Sequence, residues 1–478
     1  MQVKMISATI EGVTAQFVTV EVEVCPGLQQ FHVVGLPEGQ AREGHVRVET
    51  AFSNSCLVFP TRRVTVNLTP AGLCKAGTGF DLPTALGILA ATGALPADAL
   101  TGTMVVGELA FDSRVLPVRG VLAFAVAARQ AGIGRILVPA GTVAEAVVVE
   151  GLEVIAVASL GQAVEHLRGI APISPSTPVA LPAEPDPIVD LMDIRGQAGA
   201  RRALEIAAAG GHSLLLVGPP GTGKTMLARR LDGILPPMTP GEALETSLVY
   251  SVRGLLPPGQ GLLRSRPFRA PHHTVSTAAL VGGGVGMPRP GEISLAHHGV
   301  LFLDELPEFP QPTLDSLRQP LETGEVTLGR AQRTIVFPAR AQLVAAMSSC
   351  PCGYQGDARG LCSCSPERVA TYQARVAVLP FDLRVRVESQ SFRSLTRAAP
   401  GESTAAVRER VIRAREILAV RAPDQAGDPG CPGSRPGSKG SPGRPDHRRP
   451  RRQPGGPDRP PGRGHGLPAG AGPGLMHG

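Results

Sequence analysis

The sequence predicts an α/β chain whose central part is a three-layer sandwich built around a buried parallel sheet. Three observations carry that reading. The apolar strand Ser213-Leu214-Leu215-Leu216-Val217 empties into the loop Gly218-Pro219-Pro220-Gly221-Thr222-Gly223-Lys224-Thr225, and Met226 to Leu231 then opens a helix. Further on, the apolar run Gly299-Val300-Leu301-Phe302-Leu303 ends in the two carboxylates Asp304 and Glu305. Ahead of both, alternating strands and helical stretches follow one another, the pattern of an α/β layer.

At 478 residues the chain has room for about three domains of ordinary size. No apolar run approaches the ~18–20 residues needed to span a bilayer, and the first residues lack the order of a signal peptide, so a cytoplasmic protein is expected. Eight cysteines in so long a chain do not make a disulfide scaffold. The formal charge is +7, but from Ala422 onward nine Lys/Arg face four Asp, which leaves only +2 for everything before. Net charge is thus weak support for nucleic-acid binding by the folded part.

The first block runs to about residue 169. Val18 to Val24 alternates as a half-buried strand does, and Arg63 to Leu68 repeats the pattern. Phe80 to Ala91 reads as a helix with Asp81 as its cap and Pro83 in its first turn. Gly120 to Ala131 and Thr142 to Val148 read as helices, followed by short strands at 136–138 and 154–157. A mixed sheet results. Residues 170–187 turn to Pro, Ser and Ala and read as a semi-extended linker.

The second block, 188–395, opens with a helix from Ala200 to Ala209 and reaches the glycine loop. That loop has the form of a phosphate cradle. Gly218, Gly221 and Gly223 let the backbone N–H groups within residues 218–226, where Pro219 and Pro220 carry none, converge on phosphate oxygens, and the helix N-terminus adds its positive dipole end. Lys224 would reach the β/γ-phosphates of ATP, and the Thr225 hydroxyl would ligate Mg²⁺. The acidic strand end supplies the complement: Asp304 for the Mg²⁺ shell, Glu305 to orient and deprotonate the attacking water.

Thr313 to Glu322 reads as a helix and Val326 to Phe337 as a hairpin with Arg330 and Arg333 near its tip. A basic tip suits a channel that threads nucleic acid, or any exposed turn. With 3 % aromatics, base stacking gives way to backbone contact. Cys350, Cys352, Cys362 and Cys364 form two close pairs with nine residues between them. Four thiolates so grouped could enclose a tetrahedral Zn²⁺, or they are reduced cysteines in a polar loop.

The phrases Val34-Gly35-Leu36-Pro37-Glu38, Lys75 to Pro83 and Gly107 to Asp112, and the run Arg264 to Phe309 with Pro271-His272-His273, resemble the YifB/ComM group of magnesium-chelatase-like AAA+ ATPases over about residues 1–375. The resemblance implies a Lon-protease-like α/β domain at 1–169 and an AAA+ P-loop domain at 188–395. Peptidase activity is not implied, because the segment around Thr78 offers no serine and no defensible general-base lysine partners it. It implies that Ile194 and Gln197 line the adenine, that Arg266, Arg269, His272 and His273 lie on an insert facing the central channel and contact DNA, or else form a solvated loop or subunit contact, and that Ser348 stands where the family has a γ-phosphate-sensing asparagine. It further implies a hexameric motor acting on DNA in branch migration and natural transformation. Tetrapyrrole metallation is not implied, since the true chelatase subunit lacks the Lon-like domain.

Two further departures stand beside Ser348. The family's Leu-Asp-Arg segment, whose arginine acts across the subunit boundary, is replaced by Ala377 to Val387, and Arg375, Arg384 and Arg386 align with it only by forcing. Glu402 to Val420 reads as an amphipathic helix, the start of a helical lid at 396–421. From 422 to 478 the text is Gly, Pro, Arg and Ser, too poor in apolar residues to fold, and is expected to be disordered. It reads as a reading-frame change, with a genuine basic tail as the alternative. The rival functional reading is a nucleotide-binding but hydrolysis-deficient regulatory subunit, or a non-functional truncated product.

Overall fold

The structure is a computed structural model describing residues 2–75, 78–96, 98–178, 189–284, 287–330, 333–355, 360–390, 396 and 400–421. The tail from 422 and the second half of the expected linker, 179–187, lie outside the described residues.

The first block contains β1 (Gln2–Glu11), β2 (Thr14–Cys25), β3 (Gln30–Val34), α1 (Glu38–Asn54), β4 (Arg63–Thr69), α2 (Asp81–Ala91), β5 (Thr103–Val105), the short pair β6 (Glu108–Leu109) and β7 (Val115–Leu116), α3 (Val121–Gln130), β8 (Arg135–Pro139), α4 (Val143–Val147), β9 (Glu153–Val157) and α5 (Leu160–Leu167). Its seven-stranded sheet has the order β3-β4-β2-β1-β5-β8-β9. β1–β2 and β2–β4 pair antiparallel and the other neighbours parallel, so the sheet is mixed as the alternation predicts. Val18, Val20, Val22 and Val24 recur at period two and bury one face of β2 together with Leu82, Leu86 and Leu89 of α2.

Asp81 is not the cap of α2. Phe80 holds that position without a side-chain bond, and Asp81 is the first helical residue. Its carboxylate accepts from Arg47 Nε at 2.6 Å and from the Leu109 amide at 3.3 Å. Burial raises its pKa to about 6, against the pull of the guanidinium. A partner distant in sequence has outbid the local capping role.

The second block contains α6 (Ala198–Gly210), β10 (Leu214–Val217), α7 (Lys224–Ile234), α8 (Pro240–Arg253), β11 (Phe268–Arg269), α9 (Thr277–Val281), the pair β12 (Gly282–Gly283) and β13 (Arg289–Pro290), α10 (Glu292–Leu295), β14 (Val300–Leu303), α11 (Gln311–Thr323), β15 (Glu325–Arg330), β16 (Arg333–Pro338), β17 (Gln342–Met347), α12 (Pro366–Ala374), β18 (Leu383–Arg386) and α13 (Thr404–Arg421). A five-stranded sheet, β11-β14-β17-β10-β18, pairs parallel throughout. Its alternation sorts side chains into two cores. Leu214, Leu216, Val300, Phe302, Val344 and Ala346 pack with Leu204, Leu227, Leu231 and Val407, while Leu215, Leu301, Leu303, Leu343 and Ala345 pack with Leu314 and Leu317. That is a three-layer sandwich. β15 and β16 form the expected hairpin, with Arg330 opposite Arg333.

Only the first half of α13 is amphipathic. Thr404, Val407 and Val411 are buried, but Ile417, Leu418 and Val420 are exposed. Arg410 bridges Glu205 of α6 at 2.7 Å, Arg415 donates to the Ala208 carbonyl at 2.7 Å and Arg408 to the Leu235 carbonyl at 3.0 Å. Arg408 and Arg410 thus reinforce the turns that bury Val407 and Val411, and Arg415 ties the helix to α6 just before its exposed apolar end.

Candidate nucleotide site

The glycine loop joins the C-terminal end of β10 to α7, where an open parallel sheet presents its ligand crevice. Gly218 is required by packing: a Cβ there would lie 2.1 Å from the Val387 carbonyl oxygen. Gly221 and Gly223 have φ of 75° and 85°, and a Cβ on either would meet nothing. Those two turns leave the backbone N–H groups clear ahead of the α7 N-terminus. Lys224 Nζ donates to the carbonyls of Gly218 and Pro219 at 2.8 and 2.9 Å, so the ammonium lies over the loop. Burial lowers its pKa, while Asp304 and Glu305 oppose that shift.

Thr225 Oγ1 donates to Asp304 Oδ2 at 2.6 Å across 79 residues of sequence. Asp304 follows β14 directly, and Glu305 adopts φ 51° and ψ 49°, a left-handed conformation unusual for a side-chain-bearing residue and recurrent at functional sites. Ser348 follows β17, the strand between β14 and β10. Pro220, Gly221, Gly223, Lys224, Thr225, Met226, Asp304, Glu305, Met347 and Ser348 enclose a cleft of about 430 Å³, within the range of small-molecule sites. A hydroxyl beside a carboxylate is a hard oxygen donor pair suited to Mg²⁺, and the cradle with its lysine suits a triphosphate.

The other predicted residues are distributed differently. Thr222 Oγ1 donates to the Pro219 carbonyl at 2.9 Å and stiffens the loop. Ile194 is buried with Leu191 and Leu204 in one core, and the Gln197 amide donates to the Glu388 carbonyl at 2.8 Å; neither is among the residues enclosing the cleft. Arg266, expected at a DNA surface, is buried, its guanidinium donating to the carbonyls of Pro236, Pro237 and His298 and to Glu242. A cation so enclosed cannot reach a phosphate backbone. Arg269 lies in edge strand β11, paired with both oxygens of Glu292 at 2.7 and 2.9 Å. His272 is exposed, its Nδ1 2.9 Å from Thr274 Oγ1. His273 instead stands 3.6 Å from the Glu305 carboxylate and edge-on to Phe309, beside the cleft. Arg330 and Arg333 pair with each other in the backbone ladder at the end of the hairpin. Arg384 and Arg386 lie on β18 and line a hollow with Val217, Ser349, Gln355 and Gln373.

Two features escaped the sequence reading. His297 and His298 are both buried and both direct Nε2 at Glu245 Oε2, at 3.2 and 2.9 Å, just before β14 begins. Burial lowers the pKa of His297, with His298 adding to the shift and Glu245 opposing it. Adjacent histidines ahead of a buried strand are the signal that could have suggested an interior network. The second is the cysteine loop's place against the glycine loop. Gly353 has φ 85°, and a Cβ there would lie 2.8 Å from Pro220 Cδ and 3.7 Å from Ser348 Oγ.

Comparison with known proteins adds independent findings. The family model described as magnesium chelatase, subunit ChlI, matches residues 190–395, and a second, described as subunit ChlI of Mg-chelatase, matches 20–142. The chain is 44 % identical over 424 residues to the competence protein ComM of Haemophilus influenzae, covering 86 % of this chain and 81 % of that one. It is 43 % identical over 414 residues to the YifB protein of Escherichia coli, covering 85 % and 80 %. Lon protease 2 of Bacillus subtilis is 28 % identical over 178 residues, which cover 35 % of this chain and 31 % of that protein.

Proposed function

The chain belongs to the YifB/ComM family of magnesium-chelatase-like proteins, and from that premise we propose that it binds Mg²⁺·ATP in the cleft at the end of β10 and hydrolyses it to remodel DNA. One observation carries the nucleotide reading: residues far apart in sequence, Lys224, Thr225, Asp304, Glu305 and Ser348, converge on one cleft. Lys224 draws the terminal phosphates onto the glycine loop, whose N–H groups and helix dipole hold them. Thr225 and Asp304 would hold Mg²⁺, which when bound supplies charge neutralisation at the phosphate oxygens. Glu305 orients the attacking water and accepts its proton, and Ser348 offers a hydroxyl on the same side. Membership of this family supports, as part of the same proposal, a DNA substrate and a hexameric ring in the cytoplasm, with the hairpin tip of Arg330 and Arg333 as a contact to the DNA backbone. Among the described residues no helix is long and apolar enough to cross a membrane.

Two observations favour a second reading, nucleotide binding without turnover: a serine at 348 and the substituted segment from Ala377 to Val387. An arginine acting in trans can contribute ~10³–10⁵ in rate. Measuring ATP binding and hydrolysis side by side, with and without DNA, separates the readings. DNA-stimulated turnover that Glu305→Gln abolishes supports the motor; tight binding with no turnover in the wild type supports the second.

A further inference from the structure

The four clustered cysteines lie outside the nucleotide chemistry, yet they touch its frame. Cys350 Sγ is 3.3 Å from Cys352 Sγ and 3.7 Å from Cys362 Sγ, and Cys352 and Cys362 are 3.6 Å apart. Cys364 completes the group, with all four sulfurs within 4.8 Å of one another. A disulfide would require about 2.05 Å. The edge of a tetrahedron of sulfurs around Zn²⁺ at about 2.3 Å is about 3.8 Å, which is the scale of these separations. Cys350 is buried, and its sulfur also accepts the Gln355 amide.

We propose that Cys350, Cys352, Cys362 and Cys364 bind one Zn²⁺, and that this ion braces the segment after β17 against the glycine loop so that Ser348 and Pro220 hold their places in the cleft. The four thiols lose their protons on binding and no electrons move. The mechanical path is short. Cys350 and Cys352 lie in the turn, closed by the Gly353 amide donating to the Cys350 carbonyl at 2.9 Å, that carries Gly353 onto Pro220, and Ser348 lies two residues ahead of Cys350. From the other end, Cys362 and Cys364 lead into α12, whose Gln373 amide donates to the Ser349 carbonyl at 3.0 Å. The metal would thus close a loop of chain whose two ends both grip the strand end facing the nucleotide. Full coordination by protein sulfur leaves no open position, which fits a structural and not a catalytic ion.

The nucleotide part of this inference rests on the proposed function; the metal part does not. The test uses full-length protein purified without chelators. Elemental analysis should find about one zinc per chain, with no such content in Cys362→Ser or Cys364→Ser. Hydrogen exchange is then followed before and after zinc is removed with a mild chelator, and after zinc is restored. Removal should speed exchange in both 348–355 and 218–226, and restoring Zn²⁺, but not Mg²⁺, should reverse it. ATP affinity should fall several-fold to about tenfold in the stripped protein, the worth of a misplaced hydrogen bond. Sub-stoichiometric zinc that added Zn²⁺ does not remedy, with all four thiols freely reactive, overturns the metal site. Stoichiometric zinc whose removal leaves 218–226 unchanged overturns the brace. If that exchange does respond but the loaded protein binds no ATP, the brace stands and the proposed function falls.

Discussion

Replacing Arg266 by Met separates a structural role from a DNA-binding one. Arg266 is 8 % exposed, and its guanidinium donates to Pro236 O at 2.7 Å, His298 O at 2.6 Å, Pro237 O at 3.3 Å and the two Glu242 oxygens at 3.2 and 2.9 Å. Methionine keeps the stem but strands three carbonyls and one carboxylate. Glu242 retains only the Thr239 amide of its capping box as a hydrogen-bond donor among the described contacts, besides the His298 ring at 3.7 Å. Breaking a buried pair in this way costs about 3–5 kcal/mol. At roughly 2–4 °C per kcal/mol for a domain of this size, the melting transition of the second block should fall by roughly 6–20 °C. Differential scanning calorimetry measures that, and a salt titration of DNA affinity runs beside it. The salt slope should not change, because no phosphate contact is lost. An unaltered melting point together with weaker DNA binding and a slope reduced by about one would refute the reasoning.

Glu305→Gln should keep ATP binding and lower turnover by about 10²–10⁴, read by coupled phosphate release at saturating ATP. Gly218→Ala places a methyl 2.1 Å from the Val387 carbonyl oxygen, so it should cost about 1–3 kcal/mol in urea unfolding and weaken nucleotide binding, whereas Gly199→Ala, which meets nothing, should do neither. For His297 the folded-state pKa lies below the unfolded value of 6.5. The unfolded chain therefore binds the extra proton first, so the stability this group contributes is complete above about pH 6.5 and drains away as the pH falls below it. Unfolding free energy measured from pH 7.5 to 5 should decline in the wild type and decline less steeply in His297→Gln; parallel profiles would contradict the assignment.

Local patterns were the legible part of this chain. The loop from Gly218 to Thr225 and the acidic end of β14 could be read because each needs only a strand, a turn and a few side chains contiguous in sequence. The buried parallel sheet was legible in the unbroken apolar runs Leu214 to Val217 and Val300 to Leu303, whose successive side chains the structure sorts into opposite cores. What could not be read depends on partners remote in sequence. Asp81 looked like a cap because its neighbours form a helix, while its real partner, Arg47, is 34 residues earlier. Arg266 sat in basic text that suits a nucleic-acid surface, but the chain folds it under Pro236 and His298. His273 came with the same stretch and lies instead beside Glu305. The exposed end of α13 shows the converse: Ile417 and Leu418 lie on the helix, yet no neighbour among the described residues buries them.

Isothermal titration of ATP with Mg²⁺ into the wild type and Lys224→Ala bears most directly on the cleft's role. The account predicts one site per chain for the wild type, heat that depends on the metal, and an affinity at least about tenfold weaker without the lysine. Absence of binding heat in the wild type, or identical isotherms for the two proteins, would contradict it.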